Sequence, residues 1–124
     1  MISRRTALFA ALAAGLSTAA RAHHGLMIWD KETLVMLTGI VTEPMDGFPH
    51  WEIEVRVDGV DWVIDLGSDF DMERAGLHTD GREFSIGAEV IVEGYRPKGS
   101  DARLIRPRRV TVGGTTYEFK TEWD

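Results

Sequence analysis

Two short runs that alternate without a fault constrain this chain more than anything else in it. From Trp51 to Val57, Trp51, Ile53, Val55 and Val57 fall on one face and Glu52, Glu54 and Arg56 on the other. A period of two marks a strand buried on one side only. Asp58-Gly59 supplies a two-residue turn that tolerates positive φ, and Val60 to Leu66 returns as the second arm of a hairpin. Setting Val57 opposite Val60 predicts the pairs Val55/Trp62, Ile53/Ile64 and Trp51/Leu66, all on the apolar face. A slip of one residue would turn every one of them outward, so pattern and turn agree on one register.

The rest of the chain is also rich in strands. Leu34 to Glu43 reads as a strand with Gly39 in its middle, where a bend or bulge is expected. Ala88 to Tyr95 alternates with Val90 and Val92 inward and Glu89 and Glu93 outward, and Arg103 to Val112 turns at Gly113-Gly114 into Thr116 to Lys120. Between these runs, Ser68 is placed to cap a short helix with Asp69 and Asp71 in its first turn and Gly76 as its stop. Phe70, Arg74 and Leu77 fall at helical spacing, so Phe70 and Leu77 are expected to close one end of the core. The fold class is therefore mainly β: a small OB-fold-like barrel of five to six strands with one short helix between strands 3 and 4. A barrel this small fills with side chains, which leaves its faces and loops for ligands.

The first 22 residues read differently. Ser3-Arg4-Arg5-Thr6 leads into an apolar run from Ala7 to Leu16, closed by the small-x-small pattern Ala20-Arg21-Ala22. This is the form of a cleaved export signal, with paired arginines resembling the twin-arginine type; Ala7 stands where Phe is usual, so the general secretory route also fits. The division expected is a leader over 1–22 and a single domain over 23–124, periplasmic or secreted, with His23 as its new amino terminus. The apolar run is too short for a stable membrane span, so no membrane insertion of the mature protein is expected. Three of the 14 basic residues and none of the 20 acidic ones lie in the leader, so cleavage takes the formal charge from −6 to −9. Such a surface repels nucleic acid. With no cysteine there is neither a disulfide framework nor a thiolate ligand.

The leader, the His23-His24 pair, Trp29-Asp30, the run Leu37-Thr38-Gly39-Ile40-Val41, Pro49-His50 opening a strand, and Gly87 to Tyr95 together resemble a family of small exported bacterial proteins known only as a domain of unknown function. The likeness covers nearly all of the mature chain. It departs at Gly25-Leu26, where the family usually has Ser-Phe, and at Phe48, where Asn is common. What it implies is export and a small β domain; it carries no activity.

The chemistry that stands out belongs to the histidines. A terminal His23 chelates a metal through its amine and one ring nitrogen, and a third nitrogen from a distant His completes a T-shaped site. That geometry suits Cu(II), so the expected cofactor is copper. His50 is the distant ligand expected, at the end of the loop Pro44 to Pro49; His24 competes with or replaces His23, and His78 is the weaker choice. The hairpin register sets Glu52 opposite Asp65, two like charges two residues from His50. They read either as support for the metal around His50 or as carboxylates solvated or paired with one of Arg103, Arg106, Arg108 and Arg109. Pro107 within that arginine run marks an edge strand or a break in pairing. Met27, Met36, Met45 and Met72 are soft donors for Cu(I), or ordinary fillers of core and loop.

No nucleophile sits in a recognisable motif and no phosphate-binding loop follows a strand, so nothing marks an enzyme. The alternative to a metal protein is a non-enzymatic module that docks an unknown protein or small-molecule partner, with the histidines incidental.

Overall fold

The computed structural model describes residues 28–120. The elements in chain order are β1 (Val35–Asp46), β2 (Trp51–Val57), β3 (Val60–Gly67), α1 (Asp69–Ala75), β4 (Glu89–Tyr95), β5 (Leu104–Val112) and β6 (Thr115–Glu118). The strands form one sheet in the order β3-β2-β1-β4-β5-β6, and β3 also pairs in parallel with β5. That pairing closes β1, β2, β3, β5 and β4 into a five-stranded mixed barrel and leaves β6 outside it, against β5. The expected OB-like architecture, with its helix after β3, is what the chain adopts.

The hairpin holds the expected register over most of its length, with Val57↔Val60, Val55↔Trp62 and Ile53↔Ile64 opposed. Its turn places Asp58 at φ 49° and Gly59 at φ 78°, the positive values that a two-residue turn between twisted strands requires. At the open end the expected Trp51/Leu66 pair does not form. The register shifts between Trp51 and Glu52, and Trp51 lies opposite Gly67. The extra residue is Leu66, so it is β3 that bulges at the barrel rim, where bulges re-aim side chains.

Other differences follow from closure. β1 runs on to Asp46, so Pro44 and Met45 belong to the strand and the connection to β2 is only 47–50. Its register shifts fall after Val41 and after Glu43 rather than at Gly39. Gly39 serves close approach instead: a Cβ there would lie 2.4 Å from the Arg56 carbonyl oxygen. Pro107 is buried and sits opposite Gly94 where β4 and β5 shift register, so it marks a break in pairing and not an edge.

The core is made by the inward residues of the barrel strands, Val41, Ile53, Val55, Ile64, Leu66, Val90, Val92, Ile105, Val110 and Val112, with Leu77, Phe84 and Phe119 closing it. Ser68 caps α1 in a reciprocal capping box with Asp71, and Gly76 ends it in the left-handed conformation. The helix face differs from expectation. Leu77 is buried, but Phe70 is 65% exposed and Met72 supplies the fully buried contact. The Phe70 ring lies under the Arg74 guanidinium, 5.3 Å away. With only seven residues, the helix is oriented by its cap and by the strand it leaves, not by its own apolar stripe.

Candidate functional site

The turn from β1 to β2 builds the position of His50. Asp46 Oδ1 accepts from Gly47 N–H at 2.7 Å, and Gly47 takes φ 102°. His50 N–H then donates to the Gly47 carbonyl at 2.8 Å, across a cis Phe48–Pro49 bond. Trp51, the next residue, packs its ring 5.6 Å from that of Phe48 and donates Nε1–H to Asp69 Oδ1 at the start of α1. The opening of β2 is thereby tied to the helix, and His50 is brought against the end of β3.

There His50 Nδ1 lies 2.8 Å from Asp65 Oδ1. Asp65 is 1% exposed although its place in the alternation is on the outward face. It is covered because Arg106 crosses from β5. Arg106 Nη1 donates to both the carboxylate Oδ1 and the backbone carbonyl of Asp65, each at 3.3 Å, and Nη2 donates to Asp71 Oδ2 at 3.3 Å. Gly67 N–H also donates to Asp65 Oδ1, at 3.0 Å. Asp71 Oδ2 further accepts Ser68 N–H at 2.9 Å and Ser68 Oγ–H at 3.0 Å. Four elements and their connections therefore meet in one network: His50 entering β2, Asp65 on β3, Asp71 on α1 and Arg106 on β5. Glu52 lies opposite Asp65 in the ladder as its position predicts.

The hydrogen bond to Asp65 is the largest influence on the His50 imidazole; burial and Arg106 oppose it, the Asp65 and Asp71 charges add to it, and the net is a pKa above the ordinary value. Burial works to raise the Asp71 carboxyl but is outweighed by Ser68 N–H, the Arg106 charge and the Ser68 hydroxyl, which leave it below the ordinary range. Two carboxylates against one guanidinium make a cluster that a protonated His50 neutralises. The same arrangement has a second chemical use. A histidine whose Nδ1–H is held by a carboxylate has a fixed tautomer and a more basic Nε2, the form in which histidines ligate metals.

Among the described residues no group of three or more His, Cys, Asp or Glu side chains is placed to hold a metal ion. His23, His24 and Met27 lie outside the described residues. His78 Nδ1 is 2.6 Å from Glu83 Oε1, which also accepts the His78 backbone N–H, so that ring is tied into its own loop. Met72 is core, Met45 packs against the core, and Met36 is 62% exposed on β1. The arginine run divides: Arg106 is buried, Arg109 pairs with Glu93 and Glu118, and Arg103 and Arg108 are exposed. Sequence reasoning named Arg106 only as one of four arginines that could pair with Glu52 or Asp65; the structure makes it the partner of Asp65, and Asp71 and Gly67 were missed as members of the network. β5 gives no clean alternation to single it out, since Leu104, Ile105, Arg106 and Pro107 are buried in succession, and the parallel β3–β5 pairing that delivers Arg106 to Asp65 is not legible in residue order.

Fold and site together define a small OB-like β-barrel domain with a buried charged network at one rim. The chain belongs to a family of unknown function, DUF6152, whose match spans residues 11–105. No curated protein matches it. Among solved structures it is similar to the "Crystal structure of the TiaS-tRNA(Ile2)-AMPCPP-agmatine complex", with a TM-score of 0.51 and 16% identity over 67% of this chain. The chain spans 19% of that protein, and a likeness at this identity is one of fold.

Proposed function

We propose that this is an exported small-domain protein that binds a transition metal of the copper type, with His50 as one ligand and the His23 end, seconded by His24, as the other. The observation that carries the reading is the 2.8 Å contact between His50 Nδ1 and the buried Asp65 carboxylate, which dedicates that ring nitrogen and leaves Nε2 for a ligand. Nitrogen donors in a chain without cysteine favour Cu(II) over softer ions. Asp65 orients the ring, and Glu52 opposite it supplies a second negative charge close by. The alternative, a metal-free module that docks a protein or small molecule, shares the same fold. The tRNA of the similar structure is not carried over, since a formal charge of −6, or −9 after cleavage, opposes phosphate binding.

The reading sets a condition on reach. Ile28 is tied by its carbonyl to Lys98 N–H at 2.7 Å. The chain from Ile28 back to His23 extends at most about 18 Å, and a closed site requires it to run toward the start of β2. The test starts with protein expressed with its leader and collected after processing, whose mass is expected to place the amino terminus at His23. Calorimetry and electron spin resonance with Cu(II) alone should then show one nitrogen-rich site, lost in His23→Ala and in His50→Ala. An amino terminus at Ala22 or any earlier residue, or a titration that His50→Ala leaves unchanged, overturns the reading. Recovery of a bound partner that tolerates both substitutions supports the module instead.

A further inference from the structure

The charged network contains one residue that touches no ligand position and yet holds the group that does. Asp65 Oδ1 takes His50 Nδ1 at 2.8 Å, Gly67 N–H at 3.0 Å and Arg106 Nη1 at 3.3 Å. Of these donors only Arg106 also grips the Asp65 backbone carbonyl, so one guanidinium nitrogen bridges both ends of the same residue and restricts its χ1. The other nitrogen is anchored on Asp71, itself held by Ser68. The barrel also reserves space for this guanidinium. A Cβ at Gly67 would lie 2.6 Å from Nη1 and 2.9 Å from Nη2, so the guanidinium fills the place where any other residue would carry its side chain. Arginine suits the position because its planar fork reaches three acceptors at fixed angles, which a lysine ammonium cannot do.

We propose that Arg106 is the positioning residue of the His50 site: by clamping Asp65 at both carboxylate and carbonyl, it directs Oδ1 to His50 Nδ1 and thereby selects Nε2 as the nitrogen that meets a ligand. This rests on the metal reading for the identity of the ligand, but not for the choice of nitrogen. Without Arg106, Asp65 Oδ1 still takes Gly67 N–H and His50 Nδ1, but its carboxylate and carbonyl lose their common clamp, so the acceptor for Nδ1 is held less firmly and the preference for one tautomer weakens.

Two measurements separate the proposals. Nitrogen-15 spectra of the full chain without metal, taken above the His50 pKa, should show His50 protonated on Nδ1 in the wild type. Arg106→Gln should move that proton toward Nε2, Arg106→Lys should restore it only in part, and Arg108→Gln, at an exposed arginine outside the network, should not move it. Copper affinity of the processed protein should fall in Arg106→Gln, by less than the about 10- to 100-fold found when the group directly behind a metal-binding histidine, here Asp65, is itself lost. A wild-type His50 protonated on Nε2, or a folded Arg106 variant that keeps the wild-type tautomer, overturns the positioning role; should Arg106→Gln not fold, Arg106→Lys carries the same test. A tautomer that follows Arg106 in a protein that takes up no copper would uphold this inference and defeat the metal reading.

Discussion

Replacing Asp65 by Asn tests the network at its centre, because the change keeps shape and removes one charge. Asp65 is 1% exposed and Arg106, its partner, has a side chain 10% exposed, so water does little to screen the pair. Losing one member of a buried ion pair costs about 3–5 kcal/mol when the other is left alone. Here Arg106 keeps Asp71 at 3.3 Å and an amide oxygen at position 65, which puts the expected loss at the low end, about 3 kcal/mol. For a domain of this size that is a fall in Tm of roughly 12–24 °C. Urea unfolding and a thermal scan of metal-free protein at neutral pH measure it. A second signature comes from His50. Its pKa is raised in the folded state, chiefly by the Asp65 hydrogen bond, so its contribution is complete below the unfolded value near 6.5 and is lost as pH rises through the folded value. Wild-type stability should fall through that window, and Asp65→Asn should remove most of the fall. A loss under about 1 kcal/mol with the same pH slope as wild type would refute the argument that Asp65 is the hub.

Gly67→Ala should destabilise by at least as much as the left-handed backbone penalty of about 1–2 kcal/mol, because its Cβ would also lie 2.4 Å from Asp71 Oδ2 and displace the guanidinium; an unfolding midpoint equal to wild type would contradict this. On α1 the two apolar residues should behave oppositely. Met72→Ala, at 0% exposure, should cost about 2–5 kcal/mol, whereas Phe70→Ser, at 65% exposure, should stay within about 0.5 kcal/mol; both are read by urea midpoint.

Much of the barrel is legible in residue order because its information is local. Period-two alternation, the Asp58-Gly59 turn and the Ser68 and Gly76 caps each act over a few residues, and each is met in the structure with nearly its expected boundaries. Legibility fails where a local preference is overruled by a distant contact. Phe70 was expected to close the core with Leu77 and is exposed instead, because seven residues of helix cannot choose their own rotation against a capped strand end. The Trp51/Leu66 pair looked natural until the bulge at the rim displaced it. Arg106 looked like one of four surface arginines because the parallel strand that carries it to Asp65 lies 41 residues away along the chain.

The residues alone therefore settled the fold class and most of the hairpin register, both of which follow from short-range periodicity. Only closure of the barrel decided that Asp65 is buried, that His50 is bound to it, and that Arg106 and Asp71 complete the cluster. A charge on an outward-facing position is cheap in isolation and becomes binding on its neighbours once another strand covers it, since a buried charge must find a partner.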